Sequence, residues 1–181
     1  MPRLTQRLAM NLNNQMSQLA LLVGRFSITR TFILLLTISP LAAQAETLSG
    51  QVISVMDGDT LTLMDIQRQS HQIHLAGVGA PKLSQEFGSQ AKTHLSALAL
   101  GQVATADCSM QDQQLRMRCT VTVGGKDIGL AQIRAGMAWA YRQYVGEQTA
   151  QAHIEYEQAQ FEAKIHRTGL WRSKNPTPPW R

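Results

Sequence analysis

Apolar and polar residues alternate in three short segments after residue 45. The segments are 48–56, 60–66 and 71–78, and turn-forming residues separate them at 57–59 and 67–70. Alternation with a period of two is typical of strands that bury one face, and short polar turns join antiparallel neighbours. The pattern therefore predicts a three-stranded meander at the start of the folded part of the chain.

A helix and a hairpin are predicted next. Residues 89–100 place their apolar side chains on one helical face before Gly101, and glycine commonly ends a helix. Two runs rich in strand-forming residues, 104–110 and 115–123, flank the polar residues 111–114. They predict a fourth and a fifth strand joined as a hairpin.

The last third of the chain predicts two more helices. Asp127 is placed to cap a short helix that ends at Gly136, and residues 149–167 have a helical pattern that stops at Gly169. Residues 176–180, which are rich in proline, predict an extended tail. Five short strands with a helix between the third and the fourth are the order of a Greek-key OB barrel. We therefore expect an α+β fold, a five-stranded OB barrel with three helices.

The charge of the chain is unevenly distributed. The 181 residues carry 17 Lys and Arg against 12 Asp and Glu, a formal net charge of +5. Four of the arginines precede residue 46, where there is no acidic residue, so the remainder has 13 basic and 12 acidic side chains. This length, with 44% apolar residues, suits one globular core. Together these values exclude a basic protein that coats nucleic acid, a disordered chain and a multi-domain enzyme.

Residues 1–45 have the order of a secretory signal. Arginines precede an apolar stretch at 31–45 that ends in Ala-Gln-Ala. Such signals combine basic residues, an apolar run and an A-x-A site, and this run is short for a membrane span. We expect residues 1–45 to be a signal peptide, with Met16 as an alternative start, and residues 46–181 to be a periplasmic or secreted domain. An uncleaved membrane anchor is the alternative.

Cys108 and Cys119 fall on the two strands of the predicted hairpin. In an oxidising compartment, cysteines on neighbouring strands can form a bridge. Closing a loop of this size stabilises a fold by about 2 to 3 kcal/mol on the chain-entropy account. Two free buried thiols or part of a metal site are the alternatives, although no Cys-x-x-Cys motif or nearby histidine pair supports zinc.

Several short motifs occur in collinear order along residues 48–181. They are Asp57-Gly-Asp-Thr60, Ile73-His-Leu-Ala-Gly-Val-Gly-Ala-Pro-Lys82, Arg116 in the hairpin, Gly125-Lys126, Ala135-Gly-Met-Ala-Trp-Ala-Tyr141 and Gly169-Leu-Trp171. Together they resemble the staphylococcal, or micrococcal, nuclease family of thermonucleases. The cysteine pair resembles one in secreted bacterial members of that family. The resemblance implies an OB-fold phosphodiesterase that cuts DNA and RNA with calcium.

The resemblance implies a retained role for three residues. Asp59 matches a carboxylate that binds calcium, and Thr60 matches an adjoining carbonyl ligand. Arg116 matches one of two arginines that bind phosphate. These positions favour a phosphate site on the barrel.

Three other functional positions of the family are changed. His74 stands where the other phosphate-binding arginine belongs, Gly79 replaces a calcium-binding aspartate, and Lys82 replaces the glutamate that acts as general base. A protonated lysine cannot accept a proton from water, and loss of a positioned base costs about 10² to 10⁴ in rate. Calcium prefers six to eight oxygen ligands. We therefore expect weak or absent calcium binding and a pocket that holds an anion without a metal.

Ordinary structural roles are the alternative for several of these residues. The tripeptide at 57–59 is on its own a common hairpin turn, and Arg116 and Arg118 share one face of a strand, where solvated charges are common. Glu86 is a substitute base only if its loop brings it beside Asp59. Four aromatic residues are more typical of core packing than of base stacking: Trp139, Tyr141, Tyr144 and Trp171.

Three hypotheses remain. The first is an exported monomeric nuclease-like domain with a decayed catalytic site, which binds nucleic acid, another phosphate-bearing ligand or an envelope protein and does not insert stably into the membrane. The second is an active periplasmic calcium-dependent nuclease with a rearranged site. The third is a structural or assembly factor of the cell envelope. A second carboxylate beside Asp59 and facing Arg116 would contradict the first hypothesis.

Overall fold

The computed structural model describes residues 46–111, 117–141 and 148–181. The expected signal peptide, Arg116, Tyr144 and most of the turn predicted at 111–114 lie outside these ranges. No helix in the described ranges is long and apolar enough to cross a membrane.

The first three strands form the predicted meander. β1 spans Glu46–Val55, β2 spans Thr60–Asp65 and β3 spans Ser70–Leu75, and each strand pairs antiparallel with the next. A two-residue strand, β4, follows at Val78–Gly79. Alternate side chains of the meander point into the core. Those that are fully buried include Val52, Leu61, Leu63 and Ile73.

Two longer strands close the barrel. β5, Val103–Gln111, pairs antiparallel with β1, and β6, Met117–Val123, pairs antiparallel with β5. β6 also pairs parallel with β3, so the strand order β3-β2-β1-β5-β6 returns to its start. The prediction of an α+β fold with a five-stranded OB barrel is confirmed.

The hairpin of β5 and β6 carries the disulfide bond. Cys108 and Cys119 are directly opposite each other in the pairing of these strands and are bonded. Both side chains are buried. The predicted bridge is confirmed, which excludes free thiols and a cysteine metal site.

The first helix begins and ends close to the predicted bounds. α1 spans Gly88–Ala99 and contacts β1. Its inward residues Ala91, Leu95 and Ala99 are fully buried. Gly101 follows the helix with a φ of +77°, a backbone conformation that glycine adopts without strain. The glycine stop is therefore confirmed.

Asp127 caps the second helix as the sequence predicts. It ends a short strand, β7, at Lys126–Asp127, and the helix α2 follows at Ile128–Arg134. Its Oδ1 accepts a hydrogen bond from the backbone N–H of Leu130 at 3.0 Å. This bond satisfies one of the N–H groups that the first helical turn leaves without a partner.

The last long helix forms a hydrogen bond with the capping residue Asp127. α3 spans Ala150–Ile165, and Thr149 caps it. The hydroxyl of the buried Tyr156 donates to the Asp127 carboxylate, with oxygen distances of 2.8 and 3.0 Å. Burial, reinforced by the charge of Asp127, raises the pKa of Tyr156 above its ordinary value. The phenol therefore remains a donor and joins α3 to the start of α2.

The C-terminal residues fold back onto a small second sheet. β8, Trp139–Ala140, pairs antiparallel with β4. The ring of Trp180 lies 4.8 Å from the ring of Tyr141 and 6.1 Å from that of Trp139, measured between centroids. The prediction of an extended tail at 176–180 is wrong at its end, where residues 179–180 form a turn and the N–H of Arg181 donates to the carbonyl of Pro178 at 3.2 Å. The aromatic contacts hold Trp180 against the fold.

Candidate functional site

The turn between β1 and β2 carries two carboxylates on either side of a glycine. Asp57 Oδ1 accepts a hydrogen bond from the backbone N–H of Asp59 at 3.1 Å. A Cβ atom added to Gly58 would lie 2.6 Å from the Cβ atoms of Ala80 and Ala91. Any larger residue would clash there, so close packing against two other elements fixes the turn.

Gln132 of α2 anchors this turn from the protein interior. Its side chain is fully buried, and its Nε2 donates to the carbonyl of Gly58 at 2.6 Å and to that of Ala91 at 3.1 Å. Its Oε1 contacts Nδ1 of His94. No sequence motif includes Gln132, although a glutamine among the apolar residues of a short helix is a signal for a buried anchor.

Asp59 is 7% exposed, and protein donors contact both of its oxygens. Oδ2 accepts the backbone N–H of Ala80 at 2.7 Å, and Oδ1 accepts the Thr60 hydroxyl at 3.0 Å. Nδ1 of His74 lies 3.4 Å from Oδ1. Burial, followed by the charge of Asp57, raises the pKa of Asp59 to about 8. The carboxyl group therefore keeps a proton in most molecules near neutral pH.

A cavity of about 290 Å³ lies beside the turn. Its lining combines two carboxylates, a histidine, two basic side chains and an apolar side formed by β4 and the tail. The lining residues are Asp57, Asp59, His74, Val78, Gly79, Ala80, Pro81, Lys82, Arg118, Tyr141, Pro179 and Trp180. The structure thus brings His74, Lys82 and Asp59 together around one cavity.

Arg118 reaches the cavity from β6. In the parallel pairing of β3 and β6, Arg118 is opposite His74, and paired residues on adjacent strands point to the same side of a sheet. Arg118 is 8% exposed, so its interpretation as a solvated surface charge is wrong. The structure places an arginine next to the position at which His74 replaces one. Strand alternation indicated a shared face for Arg116 and Arg118 but not the burial of Arg118.

Glu86 lies away from the carboxylates of the turn. It lines a separate cavity of about 120 Å³, together with Trp139. Lys82, four residues earlier in the same loop, lines the larger cavity with Asp59. The loop therefore presents a lysine to Asp59, and the interpretation of Glu86 as a substitute base is not supported.

Gly79 faces the C-terminal tail. A Cβ atom added to Gly79 would lie 3.0 Å from Cζ3 of Trp180 and 3.4 Å from Cγ of Pro179. An aspartate here, which the family pattern requires, would need the tail to move. No sequence motif includes Trp180, although an isolated tryptophan after a proline-rich run is a signal that could have marked it as a candidate site residue.

The described residues around the turn offer few of the oxygen ligands that calcium prefers. Both oxygens of Asp59 accept internal hydrogen bonds, and the carbonyl of Thr60, the predicted second ligand, accepts the N–H of Met56 at 2.9 Å. Gly79 offers no side chain. Within residues 46–111, 117–141 and 148–181, no group of three or more His, Cys, Asp or Glu side chains is placed to hold a metal ion. Calcium requires a larger set of oxygens than this.

A second carboxylate beside Asp59 that also faces Arg116 would contradict a decayed catalytic site, and Asp57 satisfies the first part of this condition. It is a second carboxylate beside Asp59, and its charge acts on the pKa of Asp59. The other half of the condition concerns Arg116, which lies outside the described residues. The predicted role of Arg116 in phosphate binding therefore stays a prediction.

Comparison with known proteins identifies the family to which this chain belongs. Residues 72–173 match the family described as staphylococcal nuclease homologue. The chain belongs to the staphylococcal nuclease family. It is 32% identical over 162 residues to a Haemophilus influenzae protein named uncharacterized endonuclease, an alignment that covers 88% of this chain and 87% of the relative. It is 34% identical over 141 residues to a Shigella flexneri protein named micrococcal nuclease, covering 73% and 78%.

The family match confirms the resemblance inferred from the motifs. A protein of Escherichia coli O157:H7 named uncharacterized endonuclease is also 32% identical over 132 residues, covering 72% of this chain and 82% of the relative. The match to the staphylococcal nuclease family includes His74, Gly79 and Lys82, and it ends before Trp180. The tail that borders the cavity therefore lies outside the matched range.

Proposed function

We propose that this protein is an exported member of the staphylococcal nuclease family that binds a phosphate-bearing ligand, a nucleotide or a nucleic acid, and cleaves it inefficiently or not at all. The observation that supports binding most is the buried Arg118 in the same cavity as Lys82 and His74. A guanidinium group donates two parallel hydrogen bonds to phosphate oxygens, and a lysine adds a point charge.

Inefficient cleavage is supported by three residues that line the same cavity. Lys82 stands at the position of the general base, and loss of a positioned base costs about 10² to 10⁴ in rate. Gly79 offers no carboxylate, and Trp180 borders the space that one would need. Both carboxylate oxygens of Asp59 accept hydrogen bonds from donors within the protein. Metal-dependent hydrolysis would therefore need several changes in the site.

Export to the periplasm or the outside of the cell is part of the proposal. The bond between Cys108 and Cys119 supports it, because disulfides persist in oxidising compartments. The amino-terminal arginines and the apolar run at 31–45 supply the signal. The names of the relatives, endonuclease and micrococcal nuclease, support nucleic acid as the ligand class.

Calorimetric titration of the purified, oxidised protein with a nucleoside 3′,5′-bisphosphate tests binding. We expect binding that persists when a chelator removes divalent metal, and at least a tenfold loss of affinity in Arg118→Gln. Arg118→Lys keeps the positive charge in the cavity. Circular dichroism checks that each variant is folded. Arg134→Gln removes an exposed arginine of α2 and should bind as the parent does. Equal affinities in Arg118→Gln and Arg134→Gln would contradict the proposed site.

An active nuclease is the second candidate. The pairing of Asp57 with Asp59 in one cavity favours it, because neighbouring carboxylates are metal ligands in many phosphodiesterases. Single-stranded DNA should be incubated with the parent protein and calcium, magnesium or manganese. Cleavage that Asp59→Asn abolishes would establish this second candidate and refute the first. Cleavage gained only by the triple variant Lys82→Glu, Gly79→Asp, His74→Arg would support a decayed site.

A further inference from the structure

The apolar side of the cavity ends at an exposed aromatic ring. Tyr141, Pro179 and Trp180 line this side, and the rings of Trp180 and Tyr141 are tilted by 44° to each other. Trp180 is 50% exposed, so part of the indole surface is accessible to a ligand. Gly79 is the residue that leaves room for this ring, since a Cβ atom there would approach Trp180 at 3.0 Å.

The size of the cavity determines which part of a nucleotide it can hold. Its volume of about 290 Å³ is at the lower end for small-molecule sites, which span roughly 300 to 1,000 Å³. A phosphate and a sugar fit in a space of this size. We expect the base of a nucleotide whose phosphate contacts Arg118 to lie toward the apolar side of the cavity, which ends at the half-exposed Trp180.

We propose that Trp180 stacks on the base of a bound nucleotide, with Tyr141 supporting its ring, so that the cavity prefers nucleotides to phosphates that lack a base. This inference rests on the proposed function, because the phosphate must first bind beside Arg118. Stacking of a base on an aromatic side chain changes affinity by about 5- to 100-fold and depends little on which base it is. The expected ligand class is therefore nucleotides of any base.

Two ligands that differ only in the base test this inference. Affinities of the oxidised protein for a deoxynucleoside 5′-monophosphate and for deoxyribose 5-phosphate should be measured by calorimetry. We expect the parent to prefer the nucleotide by about 5- to 100-fold, Trp180→Ala to lose this preference while keeping its affinity for deoxyribose 5-phosphate, and Trp180→Phe to retain most of it. Phe161→Ala removes an aromatic residue of α3 that is 63% exposed and is the matched control.

The outcomes separate this inference from the proposed function. If deoxyribose 5-phosphate and the nucleotide bind equally well to the parent, or if Trp180→Ala keeps the preference, the stacking role is refuted while phosphate binding stands. If neither ligand binds the parent, the proposed function fails and the stacking role fails with it. Thermal melting of each Trp180 variant checks that the fold is intact, and the Phe variant keeps the test decisive if the Ala variant is unstable.

Discussion

The two sides of the cavity are held by different kinds of contact. On the turn side, hydrogen bonds from Ala80 and Gln132 hold Asp59 and Gly58, and these groups are almost completely buried. On the tail side, ring contacts hold Trp180, which is half exposed. Hydrogen bonds in the interior are directional and costly to break, whereas ring pairs adopt offset or edge-to-face arrangements over a range of separations. We therefore expect the turn side to keep one geometry and the tail side to adjust to a ligand.

The largest expected effect concerns the proton on Asp59. Its pKa is 3.8 in the unfolded chain and about 8 in the fold. Between these values the folded state keeps a proton that the unfolded state releases, so stability falls as the pH rises, by up to about 1.4 kcal/mol per pH unit for one proton. Asp59→Asn cannot ionise. We therefore expect this variant to gain stability relative to the parent as the pH rises from about 4 to 8, measured by urea unfolding.

Asp65→Asn is the matched control for this prediction and has the opposite sign. A hydrogen bond from His71 lowers the pKa of Asp65 below its ordinary value. Its stabilising contribution is therefore present at neutral pH and is lost as the pH falls through the lowered pKa. Relative to the parent, this variant should be less stable at neutral pH and should converge with it in acid. Parallel curves for Asp59→Asn and the parent would contradict a buried, protonated Asp59.

Gln132→Leu tests how firmly the turn side is anchored. The substitution keeps the volume but leaves the carbonyls of Gly58 and Ala91 without their side-chain donor. Each buried group that loses its partner costs about 1 to 3 kcal/mol, so we expect the free energy of unfolding to fall by about 3 kcal/mol. Gln158→Leu, at an exposed site on α3, should change it by less than about 0.5 kcal/mol. Similar values for the two variants would show that Gln132 is not an anchor.

The distance along the sequence between contacting residues explains which features the sequence could predict. The meander and the Asp127 cap depend on residues within a few positions of one another, and both follow from the local pattern. The cysteine pair lies on two strands that are close in the sequence and pair with each other, so the local pattern could also predict the disulfide.

The residues that local patterns could not place depend on distant parts of the chain. Arg118 is buried because β6 pairs with β3 when the barrel closes, and alternation along one strand contains no information about that pairing. Gln132 is paired because α2 packs behind the β1–β2 turn. Trp180 is at the cavity because the tail returns to Tyr141. Motif positions thus predicted the turn and the strand that border the cavity, and tertiary contacts determine which other side chains line it.

The smallest expected effect tests whether the tail and a carboxylate at position 79 compete for the same space. In the full chain, Gly79→Asp should lower the free energy of unfolding by about 1 kcal/mol, because its side chain displaces Trp180. Deletion of residues 179–181 should by itself cost about 2 to 3 kcal/mol, since about half of the Trp180 surface is buried. In the shortened chain, Gly79→Asp should then cost little.

A double-mutant cycle from urea unfolding measures this coupling directly. Gly79→Ala is the control for the carboxyl group, because it adds only the Cβ atom and should show a smaller coupling with the tail. Additive effects of the aspartate and the deletion would mean that Trp180 moves aside at no cost, so the tail would not explain the missing carboxylate. A coupling of about 1 kcal/mol would instead mean that the tail packed against β4 disfavours the family's second acidic ligand by about fivefold. The tail would then be one physical reason, beside Lys82, for inefficient cleavage at this site.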